Sequence, residues 1–268
     1  MILVFDVGNT ETTVGLFAGD SAGDLAGDTL RAHWRITTDA TRTPDEITLT
    51  LHGLLAARNI PAKEIVGAAI GSVVPAMTDP LSEACALLCG VAPVIVDARS
   101  KLPITLDVLE PLTVGADRII NTLAASRLYQ SDTIVVDLGT ATTYDCITAD
   151  GVFLGGVIAP GVRTSAETLF RRTSKLPATE LVPPSRVIGR RTEECIRSGV
   201  VLGAADAVDG LVRRIKAEWP TPRVPVAIAT GGLAPMIAPL CQTVDRVEPT
   251  LTLVGLRLAY DLLRTGAS

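Results

Sequence analysis

The chain has 268 residues, of which 47% are hydrophobic, 20% charged and only 3% aromatic, and its formal net charge is −5. These values suit a packed core in one large domain or two ordinary ones and argue against disorder. The negative balance disfavours a general binder of nucleic acid or anionic membrane, and no apolar run is long enough to cross a bilayer.

The opening run Ile2-Leu-Val-Phe-Asp6 has no basic segment before it, so no signal peptide is expected and the reading is cytoplasmic. Residues 2–7 and 12–17 read as two strands joined by a turn at Gly8-Asn-Thr10. Ala18–Thr29 is rich in Gly and Asp and reads as a hairpin loop, followed by a third strand over Leu30–Thr37. Thr43-Pro-Asp-Glu46 is a capping box with Pro at the first helical position, and Ile47, Leu51, Leu54 and Leu55 give that helix an apolar face. A strand over Ile65–Val73, a helix over Thr78–Cys89 closed by Gly90, and a strand over Pro93–Asp97 complete the first half. The odd, scattered cysteines (85, 89, 146, 195 and 241) fit a reducing compartment; Cys85 and Cys89 read as small core residues. With only two histidines no zinc site is expected, and His33 and His52 are given no role.

Lys101–Thr113 reads as a connecting loop, and Gly115-Ala-Asp-Arg118 leads into a helix made amphipathic by Ile119, Ile120, Leu123, Ala124 and Leu128. The pattern then restarts with strands at 133–138, 142–149 and 152–158, the last two joined by an Asp150-Gly151 turn. Helices are expected near 161–171 and 192–217, a strand over Pro225–Thr230, a turn at Gly231-Gly232, a helix near 233–240, a strand near 243–247 and a last helix from Thr250. The halves 1–115 and 116–268 therefore read as two α/β repeats.

Each repeat offers a strand that ends in Asp, turns through Gly and re-emerges lined with threonines: Asp6-Val-Gly-Asn-Thr10 with Thr12 and Thr13, and Asp137-Leu-Gly-Thr140 with Thr142 and Thr143. Hydroxyls and closely spaced backbone N–H groups at such a tip suit a phosphate chain. A carboxylate beside them makes sense mainly with a cation between the anions. Strand–Gly–strand turns are common, so one tip is a modest signal and the matched pair a stronger one. Facing repeats would place both tips on one cleft, a natural nucleotide site. Neither a G-x-x-x-x-G-K-[ST] loop nor a G-x-G-x-x-G fingerprint is present.

With these tips, the chain resembles the type III pantothenate kinases, of the superfamily that includes actin and the acetate and sugar kinases. The likeness runs nearly end to end. It includes Trp34-Arg35 with Thr43-x-Asp45-Glu46, Val73-Val-Pro75, Gly115-Ala-Asp-Arg118, Gly155-Gly-Val-Ile-Ala-Pro-Gly161 and Lys175-Leu-Pro177. It continues through Val187-Ile-Gly189 with Thr192, Thr230-Gly-Gly-Leu233, Leu251-Thr-Leu253, Gly255-Leu256 and Tyr260. The resemblance implies two ribonuclease H-like βββαβα repeats and ATP-dependent phosphorylation of pantothenate, the first step toward coenzyme A. It implies that Asp6, Gly8, Asn9, Thr10 and Thr13, with Gly139, Thr140 and Thr142, bind ATP phosphates. Gly231 and Gly232 suit an adenine or ribose, and Asp6 is assigned to Mg²⁺. By the same resemblance Asp137 holds a monovalent cation (K⁺ or NH₄⁺) and Asp117 is the general base. Val108, Gly115, Ala116, Asp117, Arg118 and Thr192 line the pantothenate site, and the enzyme is a homodimer with Thr192 reaching the partner's site.

The residues suit this chemistry on their own terms. Phosphoryl transfer needs alignment and charge neutralisation more than covalent work. A carboxylate that accepts the hydroxyl proton is worth roughly 10²–10⁴-fold in rate, and Arg118 suits a substrate carboxylate. Read blandly, Gly-Ala-Asp-Arg is a helix start, Thr192 an N-cap and Gly231-Gly232 a plain turn. Two positions depart from the family: Val108 replaces a usual Tyr that closes over pantothenate, and Val254 replaces an acidic residue. The rival readings are a kinase for another hydroxylated acid or sugar, and a nucleotide-binding regulator without turnover. The regulator predicts a lost base or cation ligand, or a basic DNA-reading helix. Asp117 and Asp137 are present and no strongly basic helix stands out.

Overall fold

The computed structural model describes residues 1–19 and 30–265, so most of the expected 18–29 hairpin lies outside the described residues. In chain order the elements are β1 (Ile2–Val7), β2 (Glu11–Phe17), β3 (Leu30–Thr37), α1 (Pro44–Ala56), β4 (Gly67–Ser72), α2 (Pro75–Cys89), β5 (Val94–Val96) and β6 (Thr105–Leu106). Then come α3 (Ala116–Tyr129), β7 (Thr133–Leu138), β8 (Ala141–Ile147), β9 (Val152–Pro160), α4 (Val162–Arg172), α5 (Thr192–Arg197) and α6 (Gly203–Glu218). The chain closes with β10 (Val226–Thr230), α7 (Ala234–Ile237), β11 (Arg246–Val247) and α8 (Leu251–Thr265). Among the described residues no helix is long and apolar enough to cross a membrane.

The two sheets repeat one design. The first runs β3-β2-β1-β4-β5, and the second contains the matching run β9-β8-β7-β10-β11 among its six strands. In both, the first three strands are antiparallel neighbours and the last two join parallel. The match extends to single residues. β1 and β7 share a burial pattern in which only the fifth residue, Asp6 or Asp137, is not fully buried. β2 and β8 carry a register shift at the same place, between Leu16 and Phe17 and between Cys146 and Ile147.

The chain forms two compact units, Met1–Leu128 with Leu251–Ser268, and Tyr129–Thr250. These differ from the repeats at 1–115 and 116–268, and packing is the reason. In the first unit the side chains of β1 alternate between two cores. Leu3, Phe5 and Val7 meet α1 and α2, while Ile2 and Val4 meet α3 and α8. Each such fully buried side chain contributes about 1.5–3 kcal/mol. The apolar residues of α3 and α8 are spent on the first sheet, so both helices belong with it. Ala116, Asn121, Thr122 and Ala125 are buried as well as the expected apolar face, so α3 is covered rather than amphipathic.

Local signals fix several ends. The Thr43 capping box forms: its hydroxyl accepts from Glu46 N, and the Glu46 carboxylate accepts from Thr43 N at 2.8 Å. α2 starts three residues earlier than expected because Pro75 occupies its first turn, and it ends at Gly90 with φ +70°. The expected 192–217 helix is interrupted by a π-helical turn at Ser198–Leu202.

Candidate active site

Paired residues on neighbouring strands face the same side of a sheet. In the first unit Asp6 pairs with Thr13 on β2 and lies beside Gly71 on β4. All three belong to the face covered by α3: a methyl group at Gly71 would lie 2.3 Å from Ile120 Cδ1. The N-terminus of α3 brings Asp117 to the same end of this sheet, where a methyl group at Gly115 would touch Val73 at 3.3 Å and the Asp117 carboxylate at 2.5 Å. Val73 N–H donates to Val7 O at 3.0 Å, which ties that corner to the start of the first tip.

The Asp117 carboxylate accepts from Arg118 N–H at 2.8 Å. Burial pushes its pKa up, and the Arg118 amide and guanidinium offset this only in part. A carboxylate held in this way is a stronger base than an exposed one. Arg118 follows it, half-buried. Gly115 O accepts the Arg118 and Ile119 amides at 3.1 and 3.2 Å, so the Gly115–Arg118 motif is also a true helix start. One turn on, Asn121 is 1% exposed and its Oδ1 accepts from Thr252 Oγ1 at 3.0 Å; its Nδ2 has no hydrogen-bond partner among the described residues. Nothing local in the sequence singles out Asn121, because the helix that meets it, α8, lies far along the chain.

The second unit repeats the row. Asp137 pairs with Thr143 on β8 and Thr230 on β10. Ile134, Val136 and Leu138 alternate into the core, so Asp137 faces the other way. Thr142 pairs with Leu138 and points with it, away from Asp137; the residue beside the carboxylate is Thr143. Thr230 is 1% exposed, and its hydroxyl has no hydrogen-bond partner among the described residues.

The tips differ in length. Gly8 N–H donates to Glu11 O across Asn9 and Thr10, whereas Gly139 N–H donates to Ala141 O across Thr140 alone, both at 3.1 Å. Asn9, Thr10 and Thr140 are exposed. The second tip is held from two sides. Gly231, at φ +87°, lies so close that a methyl group there would sit 2.4 Å from Asp137 Oδ1, and Leu233 N–H donates to Leu138 O at 3.2 Å. Gly161 passes the other side, where a methyl group would sit 2.2 Å from Thr140 O. Gly232 is exposed.

The remaining candidates stand apart from these rows in their own units. Val108 is half-buried in the loop before α3. Thr192 is the first residue of α5 and Arg191 holds the N-cap position, so Thr192 does not cap and its side chain is exposed. Close by, Val187 and Ile188 are 71% and 83% exposed and, with Cys195, Ser198 and Leu202, border a groove of about 710 Å³. No cluster of three or more His, Cys, Asp or Glu side chains suited to a metal occurs among the described residues.

Residues 2–214 match the family model described as type III pantothenate kinase. A type III pantothenate kinase of Roseiflexus sp. is 44% identical over 265 residues, 99% of this chain and 100% of that protein. One from Moorella thermoacetica is 41% identical, over 97% and 99%. Among solved structures, the activator of the 2-hydroxyisocaproyl-CoA dehydratase from Clostridium difficile, with bound ADPNP, has a similar fold, with TM-score 0.57 and 13% identity over 99% of this chain and 96% of that one.

Proposed function

The chain belongs to the type III pantothenate kinase family, and from that premise we propose which of its residues carry the reaction. The reaction is transfer of the γ-phosphoryl group of ATP, with Mg²⁺, to the primary hydroxyl of pantothenate, giving 4'-phosphopantothenate. Asp117 is the general base, which takes the hydroxyl proton as the oxygen attacks phosphorus. The observation that carries this assignment is the half-buried carboxylate at the head of α3, its pKa raised by burial, at the sheet end that also bears the first tip. Arg118 binds the pantothenate carboxylate, and Gly115, Ala116 and Val108 shape its pocket.

Asp6, Gly8, Asn9, Thr10 and Thr13, with Gly139 and Thr140, hold the phosphates of ATP, and Gly231 and Gly232 approach its nucleoside. Thr142, expected among them, is buried on the core face with Leu138 and drops out. Thr143 joins this set because it faces the same side as Asp137. Asp137 holds a monovalent cation. The donor set suits one: a half-buried carboxylate lies beside the buried Thr230 hydroxyl, which has no hydrogen-bond partner among the described residues. Asp6 holds Mg²⁺. Bound there, the two cations would supply charge neutralisation for the phosphates, and the chain's own part is to align acceptor and donor and to remove one proton. The active form is a homodimer in which Thr192 reaches the partner's pantothenate, a reading supported by its exposed, non-capping position next to the exposed Val187 and Ile188.

Pantothenate-dependent ADP release in potassium buffer with Mg²⁺ tests the assignment. Wild type should turn over, and Asp117→Asn should lose roughly 10²–10⁴-fold in kcat. Turnover that survives the substitution removes the base role from Asp117.

A further inference from the structure

A phosphate loop works only if it shows an anion its N–H groups and not its carbonyls. In the first tip the carbonyls of Gly8, Thr10 and Glu11 all accept bonds from the protein itself. Thr38 Oγ1 donates to Gly8 O at 2.7 Å, Thr38 N–H donates to Thr10 O at 3.0 Å, and Gly8 N–H donates to Glu11 O at 3.1 Å. Thr38 makes two of these three. Its hydroxyl has one proton and gives it to Gly8 O. In the 2.8 Å contact between Thr12 Oγ1 and Thr38 Oγ1 the donor is therefore Thr12. The relay Thr12 to Thr38 to Gly8 is polarised in one direction along its length.

The second tip has a matching arrangement from an unrelated element. Thr164, in the first turn of α4, donates its hydroxyl to Thr140 O at 2.7 Å. Leu138 O and Ala141 O accept from Leu233 and Gly139 N–H. Since the trans peptide is planar, its C=O and the following N–H point in opposite directions. A hydroxyl that fixes the Gly8 carbonyl thereby aims the Asn9 N–H, and one that fixes the Thr140 carbonyl aims the Ala141 N–H.

We propose that Thr38 and Thr164 are positioning residues for nucleotide binding, each turning the carbonyls of one tip away from the ATP phosphates so that the tip amides face them. Neither touches substrate. The proposal rests on the reading that both tips hold ATP phosphates. Thr38 has the larger effect, because its hydroxyl is half-buried and is itself held by Thr12, whereas Thr164 is exposed. The Thr38 N–H bond to Thr10 O is a backbone contact that Thr38→Val leaves in place.

The test compares Thr38→Val, which keeps the shape and loses the hydroxyl, with Thr38→Ser, which restores it. ADPNP affinity, the KM values for ATP and pantothenate, and the melting temperature without ligand are measured for both. Thr38→Val should weaken ADPNP and raise KM for ATP by about tenfold, the order of one lost hydrogen bond with its misdirected amide. KM for pantothenate should stay within about twofold, and Thr38→Ser should recover most of the nucleotide loss. Wild-type nucleotide affinity in Thr38→Val, or Thr38→Ser as impaired as Thr38→Val, overturns the proposal. So does a loss shared equally by pantothenate and ATP. Should Thr38→Val not fold, Thr164→Val puts the same question in the other unit, where unchanged ADPNP affinity also overturns it. Absence of ADPNP binding to wild type defeats the phosphate reading itself and is told apart by that control.

Discussion

The two tips share strand pairing, burial pattern and register shift, yet they are supported differently. The first is one residue longer and is tied to a hydroxyl relay and, through Val73, to the corner where Asp117 stands in the first turn of α3. The second is compressed between Gly161 and Gly231 and has the buried Thr230 hydroxyl where the first sheet has Gly71. A duplicated frame can thus place an acid with a raised pKa beside one tip and a tightly packed carboxylate next to a buried hydroxyl in the other. Two further carboxylates make the same contrast. Asp117 has few donors around it and its pKa is raised by burial. Asp132 is 2% exposed; burial opposes its ionisation too, but bonds from Trp219 Nε1, Ala149 N and Thr221 Oγ1 at 2.8–2.9 Å outweigh it and hold its pKa below the usual value.

The largest expected effect breaks the asymmetry at Asp117. Asp117→Asn should cost roughly 10²–10⁴-fold in kcat with the fold intact. In wild type the acid limb of kcat/KM should lie above the ordinary carboxylate value of 3.8, because the base must lose its proton to act, and the substitution should erase that limb. Its melting temperature at neutral pH should hold or rise, since an ionised carboxylate with a raised folded pKa weakens the fold above its unfolded pKa.

Next comes the compression of the second tip. Gly231→Ala must place a methyl group against Asp137 at a positive φ, and should lose about 1–3 kcal/mol in urea unfolding. Gly139→Ala meets only ordinary contacts, the nearest at 3.5 Å, and should fall well short of that. Equal losses at the two positions would show that the backing of the tip is slack.

A smaller effect separates the acids by pH. With its folded pKa depressed, Asp132 stabilises the fold above its unfolded pKa, and that contribution is lost as pH falls through the folded pKa. Asp132→Asn should therefore lower the melting temperature at pH 7 and narrow its difference from wild type toward pH 3. The smallest change expected is Val108→Tyr: if Val108 lines the pantothenate pocket as proposed, the added hydroxyl should lower KM for pantothenate by about two- to fivefold, the worth of one modest hydrogen bond.

What the sequence showed and hid follows from the range of the forces involved. β3 was legible residue for residue, and the Thr43 capping box closed as written, because turn and cap chemistry act within four residues. The tips were legible as motifs, but their one-residue difference in length was not. Ladder register alone reveals that Thr143, rather than Thr142, shares a face with Asp137. Thr38 and Thr164 gave no signal, since a threonine that donates to a carbonyl 30 or 24 residues away looks like any loop or helix threonine. The contact between Asn121 and Thr252 could not be read either, because it joins α3 to α8 across 131 residues.

The return of α8 to the first sheet also sets an order of events at the ribosome. Residues 129–250 emerge as one uninterrupted stretch and can close their core as soon as they are free. The first sheet, although made earlier, must wait with one face uncovered until Leu253, Leu256, Ala259 and Tyr260 arrive. The first sheet is thus made before the second unit but sealed after it, with Ile2, Val4 and α3 the apolar surface that waits for α8.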